Sequence, residues 1–494
     1  MEQGQRDSFF LRLDRRFSRP VCAAVVDLYR ILAGLLVCAY FVRLFLEFPL
    51  YTAENGLLDH RVHRELFWFT KLTLFFPGSP ALYKWSLLIL GAVGAVALTL
   101  GIRPKVGAVV SWIVVVSVHR WNFAVINLDD SSITLVLWWL LFLPIGHTLT
   151  WRTFRGLSDW REEVFLEVDG FFVRAFYGNL FVYYLTAGLT KLASVLWREG
   201  LALFVVLQLP LARTSGWWGT EHLPLLWFGN HYTLITEPLF PFMVFLRKGH
   251  PLKYIGAVCW VALHLAIPIT IGVPYANFGL ILALILVFKG ELADRLRSWA
   301  AADREVRRLD WKPARGSKSL IVTYLLVLTL AMQKNVPVLE KVWEPCMALL
   351  YLGGVAQEYH LFDWIDRFNW TIHHTVTVTP EGGEKFEVDS TELFPHSVRG
   401  FIVQSYLLPM RWMRVPRPLT GEMRNSVLRS AASRFVRTHP ELLRESGQVQ
   451  VSSKVGRLDK RDLEGKELWD TELMRFEYRG NRVKFLHPRQ PEDQ

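Results

Sequence analysis

The chain has 494 residues, of which 51% are hydrophobic and 14% aromatic, with a mean hydropathy of +0.22. This is too apolar for an ordinary soluble protein and, at 20% charged, too polar to lie wholly in a membrane, so a membrane domain joined to a soluble one is expected. The formal net charge of +11 does not point to nucleic acid, because Lys and Arg fall mostly in short segments between apolar runs, where membrane topology accounts for them.

The opening MEQGQRDSFFLRLDRRFSRP is basic but has no short apolar core with a cleavage site, and reads as a cytoplasmic amphipathic lead-in. Residues 22–48 follow five arginines and exceed the roughly 20 residues a crossing needs, which puts the N-terminus inside. Asp27, Arg30 and Arg43 interrupt that run: Arg43 and Glu47 are spaced to pair, and Arg30 lies deep enough to face other helices in a packing role. After the loop YTAENGLLDHRVHRE, the aromatic LFWFTKLTLFFPGSP is too short for a span and reads as interfacial. Spans are expected at about 84–102 and 106–121, joined on the inside by RPK, and at 131–150, ending in FLPIGHTLTW. The arginine-rich connection 152–174 should be cytoplasmic and sends the next helix outward.

That helix contains the stretch FVYYLTAGLTKLASVLWREG, residues 181–200, with Lys191 inside an otherwise apolar run. A charged side chain at the bilayer centre costs roughly 2.5 kcal/mol or more even on the most lenient scales, so such a lysine normally faces a polar cavity or a partner. An apolar setting favours a neutral amine, which is a base; alternatively, Lys191 sits near its helix end and snorkels to the interface. The following WREGLALFVVLQLPLARTSGWWG is an apolar outer segment that would admit a lipid-soluble molecule. A short span at 233–247 carries Glu237, Pro238 and Pro241; clearer ones follow at 251–271 and 274–288. The charged KGELADRLRSWAAADREVRRLDWKPARGSK lies inside before a last span at 319–335. The total is nine crossings over 1–340, with 341–494 outside as an α+β domain: an amphipathic helix from VWEPCMALLYL, a hairpin about EGG in NWTIHHTVTVTPEGGEKFEVDS, a helical stretch near 422–445, and strands at QVQVSSKV and ELMRFEYRG.

Cys22, Cys38, Cys259 and Cys346 are far apart and lack CxxC spacing, which suits small core residues. HRWN at 119–122 and His373-His374 lack zinc spacing, so no metal is expected, and no GxGxxG, P-loop or GxSxG falls in a strand-to-helix context. The polar residues instead collect at one depth. His119, Arg120, Trp121 and Asn122 close the third span, Asn127, Asp129 and Asp130 open the fourth, and His264 lies in the outer half of its helix, all on the side of Lys191. A cavity holding a lysine, carboxylates and a histidine could do general acid/base work on a bound lipid-soluble molecule. The plain alternatives are a polar outer loop for HRWN and NLDD, and a satisfied core histidine at 264. As a base, Lys191 should face an apolar wall; at hydrogen-bond distance from a carboxylate such as Asp129 or Asp130 it would be structural.

YYLTAGLTKLASVLWREG resembles the AG-x-x-KL segment, followed by a Trp and a Gly, of the vitamin K-dependent gamma-carboxylase family in its bacterial branch, the horizontally transferred transmembrane (HTTM) domain. LYRILAGLL, NLDDSSITLVLWWLLFLP and HLAIPITIGVPYANFGLILAL add to the resemblance, which covers about residues 20–290. It implies a lyase of the inner membrane, if bacterial, that uses a reduced vitamin K-type quinol, with Lys191 as base, to carboxylate glutamate in a partner protein presented at the outer face. Asp130 and His264 would complete the catalytic set, with Trp121, Asn122, Asn127, Asp129 and Trp197 around the quinol. Where the family has a histidine before its fourth-span apolar run, this chain has Asp130, which cannot donate as a neutral imidazole does. The competing expectation is a non-catalytic module that binds lipid or quinone and anchors the C-terminal domain.

Overall fold

The computed structural model describes residues 16–48, 50, 60, 64, 67–209, 211–214, 216–243, 245–300, 304–332, 340–356, 370–394, 397–405, 425–432, 434–435, 439, 446–457, 466–479 and 482–486. The lead-in before residue 16, most of the loop 51–65 and residues 357–369 lie outside them, as does much of the stretch 422–445, of which 425–432 are helical.

The chain is mostly helical. In order come α1 (Ala23–Leu46), α2 (Ala81–Leu100), α3 (Pro104–Trp121), α4 (Leu128–Phe142), α5 (Phe171–Ala193), α6 (Val195–Glu199) and α7 (Ala202–Gln208). They are followed by α8 (Leu223–Met243), α9 (Pro251–Thr270), α10 (Pro274–Val287), α11 (Lys289–Ala300), α12 (Ser317–Ala331), α13 (Glu340–Leu352) and α14 (Val398–Ser405). α1, α2 and α9 are long and apolar enough to cross a membrane, and a fourth crossing results if α10 and α11, bent by 69° at their junction, are one span. α1 packs on α2 and α10, α3 on α2 and α4, α10 on α4 and α9, and α5 on α8 and α12. Many apolar side chains on these helices, such as Leu82, Val93, Val258 and Ile269, are exposed to the surroundings, while polar Asp27, Arg30 and Lys191 are buried. That inversion of the usual soluble pattern is what a lipid solvent produces.

Small residues bring α2 and α3 together: a Cβ on Gly94 would lie 2.9 Å from the Gly107 carbonyl oxygen, and one on Gly107 would lie 2.5 Å from that of Gly94. At the end of the core near α4's C-terminus, Asp27 accepts the backbone N–H groups of Gly146, His147 and Thr148 at 2.6, 3.0 and 2.8 Å. Arg30 pairs with Asp27 at 2.6 Å and donates to the carbonyls of Leu98, Thr99 and Leu149 at 2.7 Å each. Arg30 therefore has the packing role expected of it. This knot also explains why the fourth span ends at Phe142 and not at 150: Pro144 and Gly146, the latter at φ +87°, turn the chain so that its amides reach Asp27.

Two other boundaries differ from expectation. α5 starts at Phe171, ten residues before the stretch that carries Lys191, because FFVRAFYGNL continues its apolar face. α8 starts at Leu223, not 233, and absorbs both Pro238 and Pro241. The aromatic segment after residue 66 forms only the 3₁₀ turn Trp68–Lys71; Phe69 and Phe75 turn inward while Trp68, Leu72 and Phe76 remain exposed.

Strands are few. β1 (Val21–Cys22) pairs antiparallel with β2 (Leu166–Val168), which pairs parallel with β3 (Arg307–Arg308). Further on, β4 (Trp370–Pro380), β5 (Phe386–Val388), β6 (Ser446–Arg457), β7 (Lys466–Arg479) and β8 (Arg482–Leu486) form an antiparallel sheet in the order β5-β4-β6-β7-β8. The hairpin about Glu381-Gly382-Gly383 is present, Gly382 having the φ of +82° that such a turn requires. Val376 faces Val451 and Val378 faces Val449, all four buried, so one face of the sheet is the packed one.

Candidate functional site

Lys191 lies in the last turn of α5, which stops at Ala193 because Ser194 turns to an extended conformation and caps α6, accepting the Trp197 N–H at 3.3 Å. The lysine is 2% exposed, and its Nζ lies 2.6 Å from Glu237 Oε2 on α8, itself 6% exposed. The ammonium also sits 5.6 Å from the centroid of the Trp197 ring. One turn earlier, a Cβ on Gly188 would meet the backbone nitrogen of Pro238 at 3.0 Å, so α5 and α8 touch backbone to backbone beside the pair. Asn230 Nδ2, also on α8, donates to the Trp197 carbonyl at 2.6 Å and ties α6 to the same place. Lys191 therefore neither snorkels nor stands free before an apolar wall. The carboxylate at hydrogen-bond distance is Glu237, however, not Asp129 or Asp130.

His264, on α9, bridges two helices: Nδ1 is 2.6 Å from Asn277 Oδ1 on α10 and Nε2 is 3.2 Å from Tyr184 Oη on α5. Because the Asn277 amide nitrogen already donates to the Val273 carbonyl, its oxygen must accept from His264. In the neutral ring Nδ1 then carries the hydrogen and Nε2 accepts from Tyr184, so a satisfied core histidine describes it well. It remains within electrostatic reach of Lys191.

The NLDD segment is equally committed. Asn127 caps α4, accepting the Asp129 N–H at 2.9 Å, while Asp130 Oδ2 accepts the Asn127 N–H at 2.9 Å in a reciprocal capping box. Asp129 pairs with Arg43 at 3.0 Å and accepts the Ala276 N–H at 2.9 Å. Arg43 also meets Glu47 at 3.3 Å, as their spacing suggested. Asp130 Oδ1 accepts Tyr40 Oη at 2.5 Å and Arg399 Nη2 at 2.8 Å. His119 Nε2 lies 2.8 Å from the same Tyr40 oxygen, and since that hydroxyl's proton points at Asp130, Nε2 is the donor. Arg399, 5% exposed on α14, sends Nη1 to the Val125 carbonyl at 2.9 Å. Two positions on, Phe401 is buried among Leu196, Trp197, Val205 and Leu209. Trp121 stacks on His60 with ring centroids 3.9 Å apart and lies 4.9 Å from the Lys84 ammonium; Asn122 is buried beside it. HRWN and NLDD are thus not a solvated outer loop.

The sequence-derived residues fall into two neighbourhoods, Lys191 with Trp197 and His264 in one and Asp129, Asp130, Asn127, Asn122 and Trp121 in the other. The first turn of α10 links them, giving Ala276 to Asp129 and Asn277 to His264. Sequence reasoning named Glu237 without giving it a role and passed over Tyr40, Asn277 and Arg399. Glu237 had a usable signal, since a lone acid in an apolar run calls for a base at similar depth. Arg399 had none, because nothing in SVRGFIVQS marks it as buried. Among the described residues no group of three or more His, Cys, Asp or Glu gathers as a metal site. Comparison of the chain with protein families, curated proteins and solved structures returns no match.

Proposed function

We propose that this chain is a multi-pass membrane protein whose helical module anchors the C-terminal unit, residues 341–494, at its outer face. The observation that carries the reading is the Arg399–Asp130 pair at 2.8 Å, in which a cation from the C-terminal unit is buried against the capping carboxylate of α4. A buried pair of this kind adds little net stability over an apolar contact, because both ions lose their water, but it fixes one docking geometry. With α1, α2, α3, α4, α5, α8, α9, α10 and α12 each crossing once, the basic segments 103–105, 152–174, 247–253 and 289–318 share one side. That side is then cytoplasmic, together with the N-terminus, and the unit after residue 341 lies outside.

A second reading, carboxylase-like chemistry on a reduced vitamin K-type quinol with a protein glutamate as co-substrate, draws support from the buried Lys191–Glu237 pair, since ionisable groups within spans commonly mark functional sites. The residues as arranged do not fit a quinol served by a free base: Glu237 holds the Lys191 amine at 2.6 Å.

One experiment separates the readings. A protease site placed within 357–369 is cut in the purified protein, and the fragment beginning at 370 is followed on a tag at the N-terminus; the sample is also assayed for quinol oxidation and bound quinone. Anchoring predicts that the fragment stays bound and that Arg399→Gln releases it. Release from the unmutated protein would refute anchoring. Quinol turnover lost in both Lys191→Ala and Lys191→Arg, in variants that remain folded by tryptophan fluorescence, would support the catalytic reading, and an arginine variant with near-normal turnover would exclude Lys191 as its base.

A further inference from the structure

A shallow apolar groove lies away from Lys191, between α5, α12 and the segment after α8. It holds about 250 Å³ and is lined by Gly178, Phe181, Val182, Phe245 and Leu325, with no polar group in the lining. Such walls offer a polar metabolite no hydrogen-bond partner, and the volume is below the roughly 300 Å³ at which drug-sized sites begin, so a single hydrocarbon chain suits it. Gly178 keeps the floor low: a Cβ there would already touch Leu325 at 3.4 Å. Depth agrees as well. Gly178 is seven residues into α5 and Leu325 eight into α12, which at 1.5 Å per residue is about 10–12 Å from the helix starts, within the roughly 15 Å of one leaflet's hydrocarbon.

Each wall carries a cation at the same end of the groove. Arg174 lies one turn before Gly178 on the same face of α5, Lys318 two turns before Leu325 on α12, and exposed Arg247 two residues beyond Phe245. Arg174 donates to the carbonyls of Phe17 and Arg19 at 2.6 and 2.7 Å, and Lys318 lies 3.4 Å from Asp169 and 2.9 Å from Ser18 Oγ. Asp169 offsets one of these three cations, which leaves the group of four side chains positive by two charges.

We infer that this groove binds an anionic phospholipid of the leaflet facing the basic loops, one acyl chain lying along Gly178 and Leu325 and the phosphate at Arg174, Lys318 and Arg247. The inference needs only that these helices sit in a bilayer and is independent of the anchoring role of the module.

The test uses the full chain, purified in detergent, with equimolar phosphatidylglycerol and phosphatidylcholine of identical chains, and counts bound lipid by native mass spectrometry. The unmodified protein should retain phosphatidylglycerol roughly 30-fold over phosphatidylcholine, the scale that two net cations at a membrane surface give. Gly178→Phe, which fills the groove, should lose both lipids. Arg247→Gln, at an exposed position, should keep bound lipid but reduce the preference by about fivefold, and it decides the matter if the phenylalanine variant fails to fold. Excess inorganic phosphate should displace nothing. Equal retention of the two lipids, a preference untouched by Arg247→Gln, or displacement by free phosphate would each overturn the assignment.

Discussion

Loss of either partner of the Lys191–Glu237 pair should cost far more than loss of both. At 2.6 Å the attraction in an effective dielectric of 20 is about 6 kcal/mol, while each ion gives up several kcal/mol of hydration at 2% and 6% exposure, so the intact pair roughly breaks even. Glu237→Gln leaves a buried ammonium without its counter-charge and should destabilise the protein by about 3–5 kcal/mol; Lys191→Met should do the same to the carboxylate. The double variant Lys191→Met/Glu237→Met removes both charges and should fall within about 1 kcal/mol of the parent, or exceed it. Reversible unfolding in mixed micelles, followed by tryptophan fluorescence, gives the four stabilities and hence the coupling. Single losses that simply add in the double variant would show that the two charges do not hold each other and would refute the reasoning.

Gly107→Ala should wedge α2 from α3, because its Cβ would lie 2.5 Å from the Gly94 carbonyl oxygen, and should cost about 1–3 kcal/mol in the same assay. A topology reporter fused after residue 340 should read out on the outer side; a cytoplasmic readout would remove one crossing and place the C-terminal unit inside. His147, in the loop after α4, should make stability fall in mild acid. Burial pushes its proton affinity down, partly offset by Asp27 and reinforced by Lys105. With the folded pKa below the unfolded value of about 6.5, the unfolded chain takes up the proton first, so its contribution is present above that pH and is lost as pH falls towards the folded value. His147→Gln should flatten that part of the profile, and an unchanged profile would count against the burial of its ring.

The helices were legible because the solvent is legible: apolar runs of near-spanning length and basic segments between them locate most elements to within a few residues. What failed were boundaries set by tertiary demand. α4 stops early because Asp27, over a hundred residues away, needs the amides of Gly146 to Thr148, and no local propensity encodes that. The segment with Pro238 and Pro241 reads as a short span at 233–247, yet α8 begins at Leu223 and tolerates both prolines because neighbouring helices hold it. At the site, sequence placed Lys191, Asp129, Asp130 and His264 at one depth, with a polar outer loop and a core histidine as the plain alternatives for the last three, and all four are buried. Their partners were not readable: the candidate carboxylates for Lys191 were Asp129 and Asp130 in the first turn of α4, whereas Glu237 takes it. Arg399 lies 269 residues from Asp130, in a segment whose composition resembles any amphipathic helix.

Docking of α14 through Arg399 is measured most directly by amide hydrogen exchange on the intact protein in a bilayer disc. Residues 397–405 should exchange slowly in the parent and lose that protection in Arg399→Gln, while α5 and α8 keep theirs in both. Exchange at 397–405 that is already free in the parent, or equally slow in the two proteins, would contradict the docking that Arg399 and Asp130 are proposed to hold.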